Sequence, residues 1–457
     1  MAKRAPATWA LLSLLVPTLA GCGLPGATND HERKVLIDYH FDQYAAVFGA
    51  YFPKQVTVHA GDTVVFNQSW SGEPHTVTMG TSVDEVYNVI WKYLKDGPPF
   101  PEKPPDDPAA GAALNKLNAL PQARSQSSSS AAFGQQGAQA CYVESGKLPD
   151  QADTPCPNRT LKPFTGKQVF YNSGIIPYQG DQGNTYRLPI AADAAPGTHY
   201  YFCLVHGPLM SGAITIAPAS QSIPSQTDVN AEAQKQVSKL SDPFAKALKD
   251  AQGRGAGAVN LAGVDTPPTI DGAMTEFVPR TIKVRTHQKV TWRITGDQHT
   301  VSFNVPKYLP EITIAKDGTV AYNDQTVNPV AGPGFPAPPN SGGGASGGGG
   351  PSSGPSGAPS TAPSAAASAA PSSAPSGTPS GAPSGGGSGA GSGPPPPSPP
   401  VHVDAGDYDG GHFLSSGLGG PNGPDDEVTY SITFTKAGTY KYACLVHPQM
   451  VGEVDVQ

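Results

Sequence analysis

The segment Gly197-Thr-His-Tyr-Tyr-Phe-Cys203-Leu-Val-His206 returns near the C-terminus as Gly438-Thr-Tyr-Lys-Tyr-Ala-Cys444-Leu-Val-His447, with Met210 and Met450 close behind. A repeat of that kind commits the chain to building one local structure twice. In each copy an aromatic-rich run reads as a strand, and it ends in a loop that carries a thiol, an imidazole and a thioether. Such a loop is one ligand short of a trigonal metal site. An upstream histidine supplies it in each copy: His75 in His-Thr-Val-Thr-Met79 and His299 in His-Thr-Val-Ser-Phe303. Two His, one Cys and a weak, distant Met form the set that suits an electron-transfer copper ion. A lone Cys-x-x-His is weak evidence. Two copies, each with a following Met and a preceding His-Thr-Val, are strong evidence.

The repetition extends well beyond the loop. Residues 34–39 read as a first strand, and 55–66 as two alternating apolar runs around Ala60-Gly-Asp62, the signature of a hairpin. Further strands are expected at 75–79, 169–174, 185–190, 197–203 and 212–217. The second copy replays them at 258–261, 281–292, 299–303, 413–417, 429–434, 438–444 and 452–456. Short strands of this type predict an all-β fold of two tandem Greek-key sandwiches. The expected boundaries are 30–217 and 257–457, joined by a polar linker over 218–256 with helical stretches at 229–240 and 243–251, packed on one domain.

Each copy carries its long insertion between the upstream His and the Cys loop. In the first it spans about 81–165, with one expected helix at 83–94. In the second it spans about 333–400 and contains residues 341–400, which hold only Gly, Ser, Pro, Ala, Thr and no charge. That tract cannot build a core and is expected to be disordered. It also accounts for much of the chain's high content of glycine (54) and proline (50) among 457 residues. Net charge is −7, spread thinly. A nucleic-acid partner, which needs a basic patch, is not expected.

The Gly-Thr-x-x-Tyr/Phe-x-Cys strand, the Cys-x-x-His loop, the following Met and the closing strand together resemble the cupredoxins, the plastocyanin-like blue-copper proteins. The resemblance covers about half the chain, in two separate stretches. It implies a copper at one end of each sandwich, held by His75, Cys203, His206 and Met210 in the first and by His299, Cys444, His447 and Met450 in the second. It further implies that His206 and His447 are the solvent-near ligands through which electrons pass. The His-to-Met spacing differs between the copies, so the two coppers are expected not to be equivalent.

Lys3 and Arg4, a short apolar run and Leu19-Ala-Gly-Cys22 read as a secretory signal over 1–21. The ending resembles a bacterial lipobox, which implies a lipid on Cys22 and a membrane-anchored protein on the extracytoplasmic face. If Cys22 is lipidated and Cys203 and Cys444 bind metal, Cys141 and Cys156 remain as a pair in a compartment where disulfides persist. Three functions compete. The first is a one-electron carrier with two type 1 coppers and an unknown redox-protein partner. The second is copper sequestration or delivery. The third is an oxidase-type enzyme, which is disfavoured because such enzymes add His-x-His pairs or a His beside the copper Cys, and this sequence has neither. His59 and His287 fall at turns and are read as surface residues, His199 as a solvated strand position, and Met79, whose counterpart is Phe303, as core. His31, His40, His402 and His412 have no repeated partner and are assigned no role.

Overall fold

The computed structural model describes residues 31–39, 46–68, 74–97, 106–121, 134–148, 156, 158–176, 184–253, 259–266, 272–305, 311–315, 319–328, 401–420, 427–447 and 449–457. The leader, Cys22, His40 and the tract 341–400 lie outside the described residues. No helix among the described residues is long and apolar enough to cross a membrane.

In chain order the first unit contains β1 (Glu32–Ile37), β2 (Ala46–Phe48), β3 (Tyr51–Phe52), β4 (Gln55–His59), β5 (Thr63–Asn67), β6 (Thr78–Met79), α1 (Thr81–Leu94), α2 (Pro108–Asn118), α3 (Gln135–Ala138), β7 (Ala140–Val143), β8 (Phe170–Ser173), β9 (Thr185–Pro189), β10 (Gly197–Cys203) and β11 (Gly207–Ala217). Its sheets are ordered β3-β1-β5-β9 and β4-β11-β10-β6-β8-β7. Val56 and Val58 of β4 join Val64 and Phe66 of β5 in one fully buried cluster. Each such side chain contributes roughly 1.5–3 kcal/mol by leaving water.

The expected hairpin at 55–66 is not there. β4 pairs in parallel with β11 of one sheet, whereas β5 pairs in parallel with β1 and antiparallel with β9 of the other. The turn at Gly61, which needs a positive φ of 90°, hands the chain across the sandwich. Asp62 fixes that corner, its carboxylate accepting the His59 amide at 2.8 Å. Alternation reports which residues face a core, and both walls of a sandwich face the same one. It cannot report which strand lies alongside. The sheets are therefore mixed rather than purely antiparallel.

The first insertion is more ordered than expected. α1 covers the predicted helix, with Val83, Val86, Tyr87, Ile90 and Leu94 buried on one face. It starts at Gly80, which must be glycine because φ is 119° and a Cβ there would lie 2.7 Å from the Val169 carbonyl. Asp84 in its first turn accepts the Tyr200 amide at 2.8 Å and pairs with the His199 ring at 2.8 Å. His199 is thus a tether for α1 and not a solvated residue. Cys141 and Cys156 form the expected disulfide.

The linker is one helix, α4 (Gln226–Gln252), rather than two, with Pro243 inside it. Ser225 and Asp228 close its start as a reciprocal capping box. The second unit follows: β12 (Asn260–Val264), β13 (Gly272–Val278), β14 (Thr281–Val284), β15 (Lys289–Ile294), β16 (Ser302–Phe303), β17 (Ile312–Ile314), β18 (Val320–Tyr322), α5 (Asp324–Val327), β19 (Val401–Tyr408), β20 (Leu414–Ser415), β21 (Val428–Phe434), β22 (Gly438–Ala443) and β23 (Val451–Val456). Its sheets are β14-β23-β22-β16-β20 and β19-β21-β15-β12-β13-β2, with β17 and β18 as a separate pair. β14 and β15 again lie in different sheets, so the second expected hairpin fails for the same reason as the first.

The last strand of that six-stranded sheet belongs to the first unit. β2 pairs with β13 through Phe48↔Gly272, Val47↔Ala273 and Ala46↔Met274. Neither β2, β13 nor β19 is anticipated from the sequence. A signal for β13 exists: Phe277-Val-Pro-Arg280 repeats Tyr51-Phe-Pro-Lys54. Over this seam lies α4, whose Ala233, Val237, Leu240 and Phe244 pack with Phe48 and Phe52 of one unit and Met274 and Val278 of the other. The helix therefore packs on both units, not on one. Phe244 is fully buried, with its ring centroid 4.9 Å from that of Phe48. Phe244→Ala is expected to lower stability by about 3–5 kcal/mol. Denaturant unfolding followed by probes in each unit checks it, and a change confined to one unit would show that the seam is not shared.

Candidate metal centres

In both units the strand that leads to the cysteine (β10 or β22) lies between the strand closing its sheet (β11 or β23) and the short strand that follows the upstream histidine (β6 or β16). Pairing places Phe202 opposite Thr78, and Ala443 opposite Ser302. The cysteine, one residue on, thus meets the backbone just after the histidine. His75 is held by an isolated bridge to Ile176, and His299 by one to Gly419. The expected strands at 75–79 and 299–303 shorten to these bridges plus two-residue strands.

The predicted donors converge. His75, Cys203 and His206 place ligand atoms within 4.8 Å of one another, and so do His299, Cys444 and His447. Cys203 Sγ lies 3.5 Å from His206 Nδ1 and 4.0 Å from His75 Nδ1. Cys444 Sγ lies 3.4 Å from His447 Nδ1, and the Nδ1 atoms of His299 and His447 are 3.1 Å apart. Met210 and Met450 are fully buried in the same clusters as their cysteines. A sulfur and two imidazole nitrogens turned toward one point fit copper, because sulfur suits Cu(I) and imidazole suits Cu(II).

The surroundings favour thiolates. Burial alone would push the Cys203 thiol up, but hydrogen bonds with the His206 and His75 rings outweigh it and hold the thiol well below its ordinary value. For Cys444 burial is likewise outweighed, first by the His447 charge and then by hydrogen bonds with His299 and His447. Burial would lower His75, yet the Asp38 carboxylate and the Cys203 sulfur beside it leave it above the usual imidazole value. Each sulfur also accepts a backbone amide, from Thr76 at 3.3 Å and from Thr300 at 3.4 Å. The same threonines lock the loop: Thr76 Oγ1 accepts the Leu204 amide at 2.9 Å, and Thr300 Oγ1 the Leu445 amide at 2.8 Å. The repeated His-Thr is visible in the sequence, but only the fold gives its hydroxyl a role.

The sites differ in access and support. His206 is half-buried, as expected of a solvent-near ligand, but His447 is only 1% exposed, so that expectation fails for the second site. In the first unit Tyr87 of α1 donates to the Pro208 carbonyl at 3.0 Å, bracing the loop from outside the sandwich. Sequence reasoning missed Tyr87 and also Asp38, whose Oδ2 lies 3.7 Å from His75 Nε2 with both side chains fully buried. His59 and His287 lie away from both centres; His287 is exposed and the His59 ring meets the Gln221 carbonyl at 2.8 Å. Met79 and Phe303 are both core.

No protein-family model matches this chain, and no curated protein sequence does. Among solved structures, the chain is similar to a dithionite-reduced auracyanin from Roseiflexus castenholzii at 16% identity and a TM-score of 0.19, over 42% of this chain and 100% of that one. It is similar to auracyanin A, a blue copper protein of Chloroflexus aurantiacus, at 17% identity and a TM-score of 0.17, over 41% and 98%. A copper-containing nitrite reductase from Thermus scotoductus gives 10% identity and a TM-score of 0.17, over 94% and 68%.

Thr76→Val keeps the side-chain volume and leaves the buried Leu204 amide without its acceptor. It is expected to destabilise the first unit by about 1–3 kcal/mol and to weaken copper binding there, with the second site unaffected. Thermal unfolding and copper titration of the same variant read both effects. Unchanged stability would show that the hydroxyl does not hold the loop.

Proposed function

We propose that this chain is a copper-binding one-electron carrier of the cupredoxin type, anchored on the extracytoplasmic face of a membrane through lipid on Cys22. Its two copper-binding domains would be residues 30–217 and 257–457, arisen by tandem duplication. The ligands are His75, Cys203 and His206 with Met210 as a weak axial donor, and His299, Cys444 and His447 with Met450. The observation that carries this reading is the double convergence of a buried thiol and two imidazoles, in the same strand context each time. Copper supplies the electron chemistry when bound.

The chain's own residues supply rigidity and seclusion. The cysteine and its Thr amide sit at the ends of paired strands, the loop hangs on a threonine hydroxyl, and the methionine is packed in the core. A cage that does not need to move when its charge changes favours rapid electron exchange. The half-buried His206 offers a route to a redox-protein partner at the first site. Burial of His447 favours a second reading for the other site, copper storage or delivery, since no imidazole edge reaches solvent there. An oxidase is not proposed, because the sequence has no His-x-His pair and Phe202, Leu204, Ala443 and Leu445 flank the cysteines.

The first test is copper loading of the chain that starts after Cys22. Two coppers per chain with an intense thiolate-to-copper visible band are expected, and a colourless product would overturn the reading. Cys203→Ala should remove one copper and lower the stability of the first unit, while the second site keeps its colour. Loss of both coppers would show that the two sites are not independent.

A further inference from the structure

The two sites share their ligands but not the group behind the upstream histidine. β1 pairs with β5 so that Val35 faces Phe66, and β12 pairs with β15 so that Asn260 faces Trp292. Phe66 and Trp292 are counterparts in the repeat. Three residues beyond Val35 is Asp38; three residues beyond Asn260 is Gly263. Both take a left-handed backbone, with φ of 57° and 88°. The same corner therefore bears a carboxylate in one unit and no side chain in the other.

Each corner touches its histidine. Asp38 Oδ2 lies 3.7 Å from His75 Nε2 with both atoms buried, and neither has a hydrogen-bond partner. The other oxygen is anchored: Asp38 Oδ1 accepts the Phe48 amide at 2.8 Å and the Tyr39 amide next to it. Phe48 belongs to β2, the strand that pairs with the second unit. In the second unit the Gly263 backbone itself crowds the ring. A Cβ there would lie 2.5 Å from His299 Nε2 and 2.0 Å from the Thr295 carbonyl. No carboxylate fits at that corner, and His299 Nε2 is buried without a hydrogen-bond partner.

We propose that Asp38 is a positioning residue that aims His75 through Nε2 and gives the first copper site the lower reduction potential of the two. This rests on the copper reading above. A carboxylate behind a ligating imidazole fixes the ring and makes it a more basic ligand. It also places a negative group near the metal. Both effects favour Cu(II) over Cu(I). The second site, backed by Gly263, lacks both, so its copper is the more easily reduced. Any electron that passes between the sites runs downhill from the one with the half-buried His206 to the one with the buried His447.

The test uses the full chain after Cys22, loaded with copper. Cys444→Ala isolates the first site and Cys203→Ala the second, and redox titration of each gives its potential. The first site is expected to be the lower; equal or reversed potentials overturn the proposal without needing any change at Asp38. Asp38→Asn, which keeps the shape, is then expected to shift the Cu(II):Cu(I) preference of the first site about tenfold, roughly 59 mV upward for a one-electron couple. The second site should not move. Asp38→Ala should also weaken Cu(II) binding at the first site by about 10–100-fold. A wild-type chain that stays blue at both sites while Asp38→Asn leaves the first potential in place sinks the role of Asp38 and spares the copper reading. A wild-type chain without blue copper overturns both.

Discussion

A thiolate cannot be left alone inside a protein core, and the architecture around Cys203 and Cys444 follows from that constraint. An isolated buried charge is too costly to keep, so each sulfur is surrounded by two imidazoles and one backbone amide that outweigh the burial penalty. Those partners must come from two different places in the chain. One imidazole sits three residues after the cysteine; the other, together with the amide, comes from well over a hundred residues upstream. Only adjacent strands bring them together. The β6–β10 and β16–β22 pairings are therefore as much a part of each centre as the ligands.

Rigid support comes from polar groups that would otherwise be liabilities in a core. Thr76, Thr78 and Asn172 form a continuous buried chain of hydrogen bonds beside the first site, from Thr76 Oγ1 to Thr78 Oγ1 at 3.0 Å and on to Asn172 Oδ1 at 2.9 Å. Thr300, Ser302 and Ser415 do the same beside the second, at 3.0 and 2.8 Å. Fully satisfied networks of this type stiffen a core, whereas a half-satisfied one is costly. Two chemically different triplets meet one mechanical need, which is to stop the Cys-His loop from drifting.

The two units are not interchangeable halves. The first is braced by α1, through Tyr87 on the loop carbonyl, and by Asp38 behind His75. Among the described residues the second has neither, and its loop histidine is closed off from solvent. The units also share material, since β2 completes the other unit's sheet and α4 covers the junction. Phe48 lies at that junction and donates its amide to Asp38, so the inter-unit sheet and the first metal centre are connected through one carboxylate.

The sequence by itself determined the candidate ligand sets, the all-β class and most strands, because one cysteine, two histidines and a methionine recur in the same pattern twice. It also determined α1, whose apolar residues recur at helical spacing, and the Cys141–Cys156 bridge, the pair that remains once the other cysteines have roles. Tertiary structure alone decided the partners of each strand. Val56 and Val64 look alike in a pattern of alternation, and only the crossing at Gly61 assigns them to opposite sheets. It decided that His199 tethers a helix through Asp84 and that His447 is buried, since exposure depends on what packs over a residue. It also decided the difference between Asp38, just past the end of β1, and Gly263, within β12, which become counterparts only when strand register places each against its histidine.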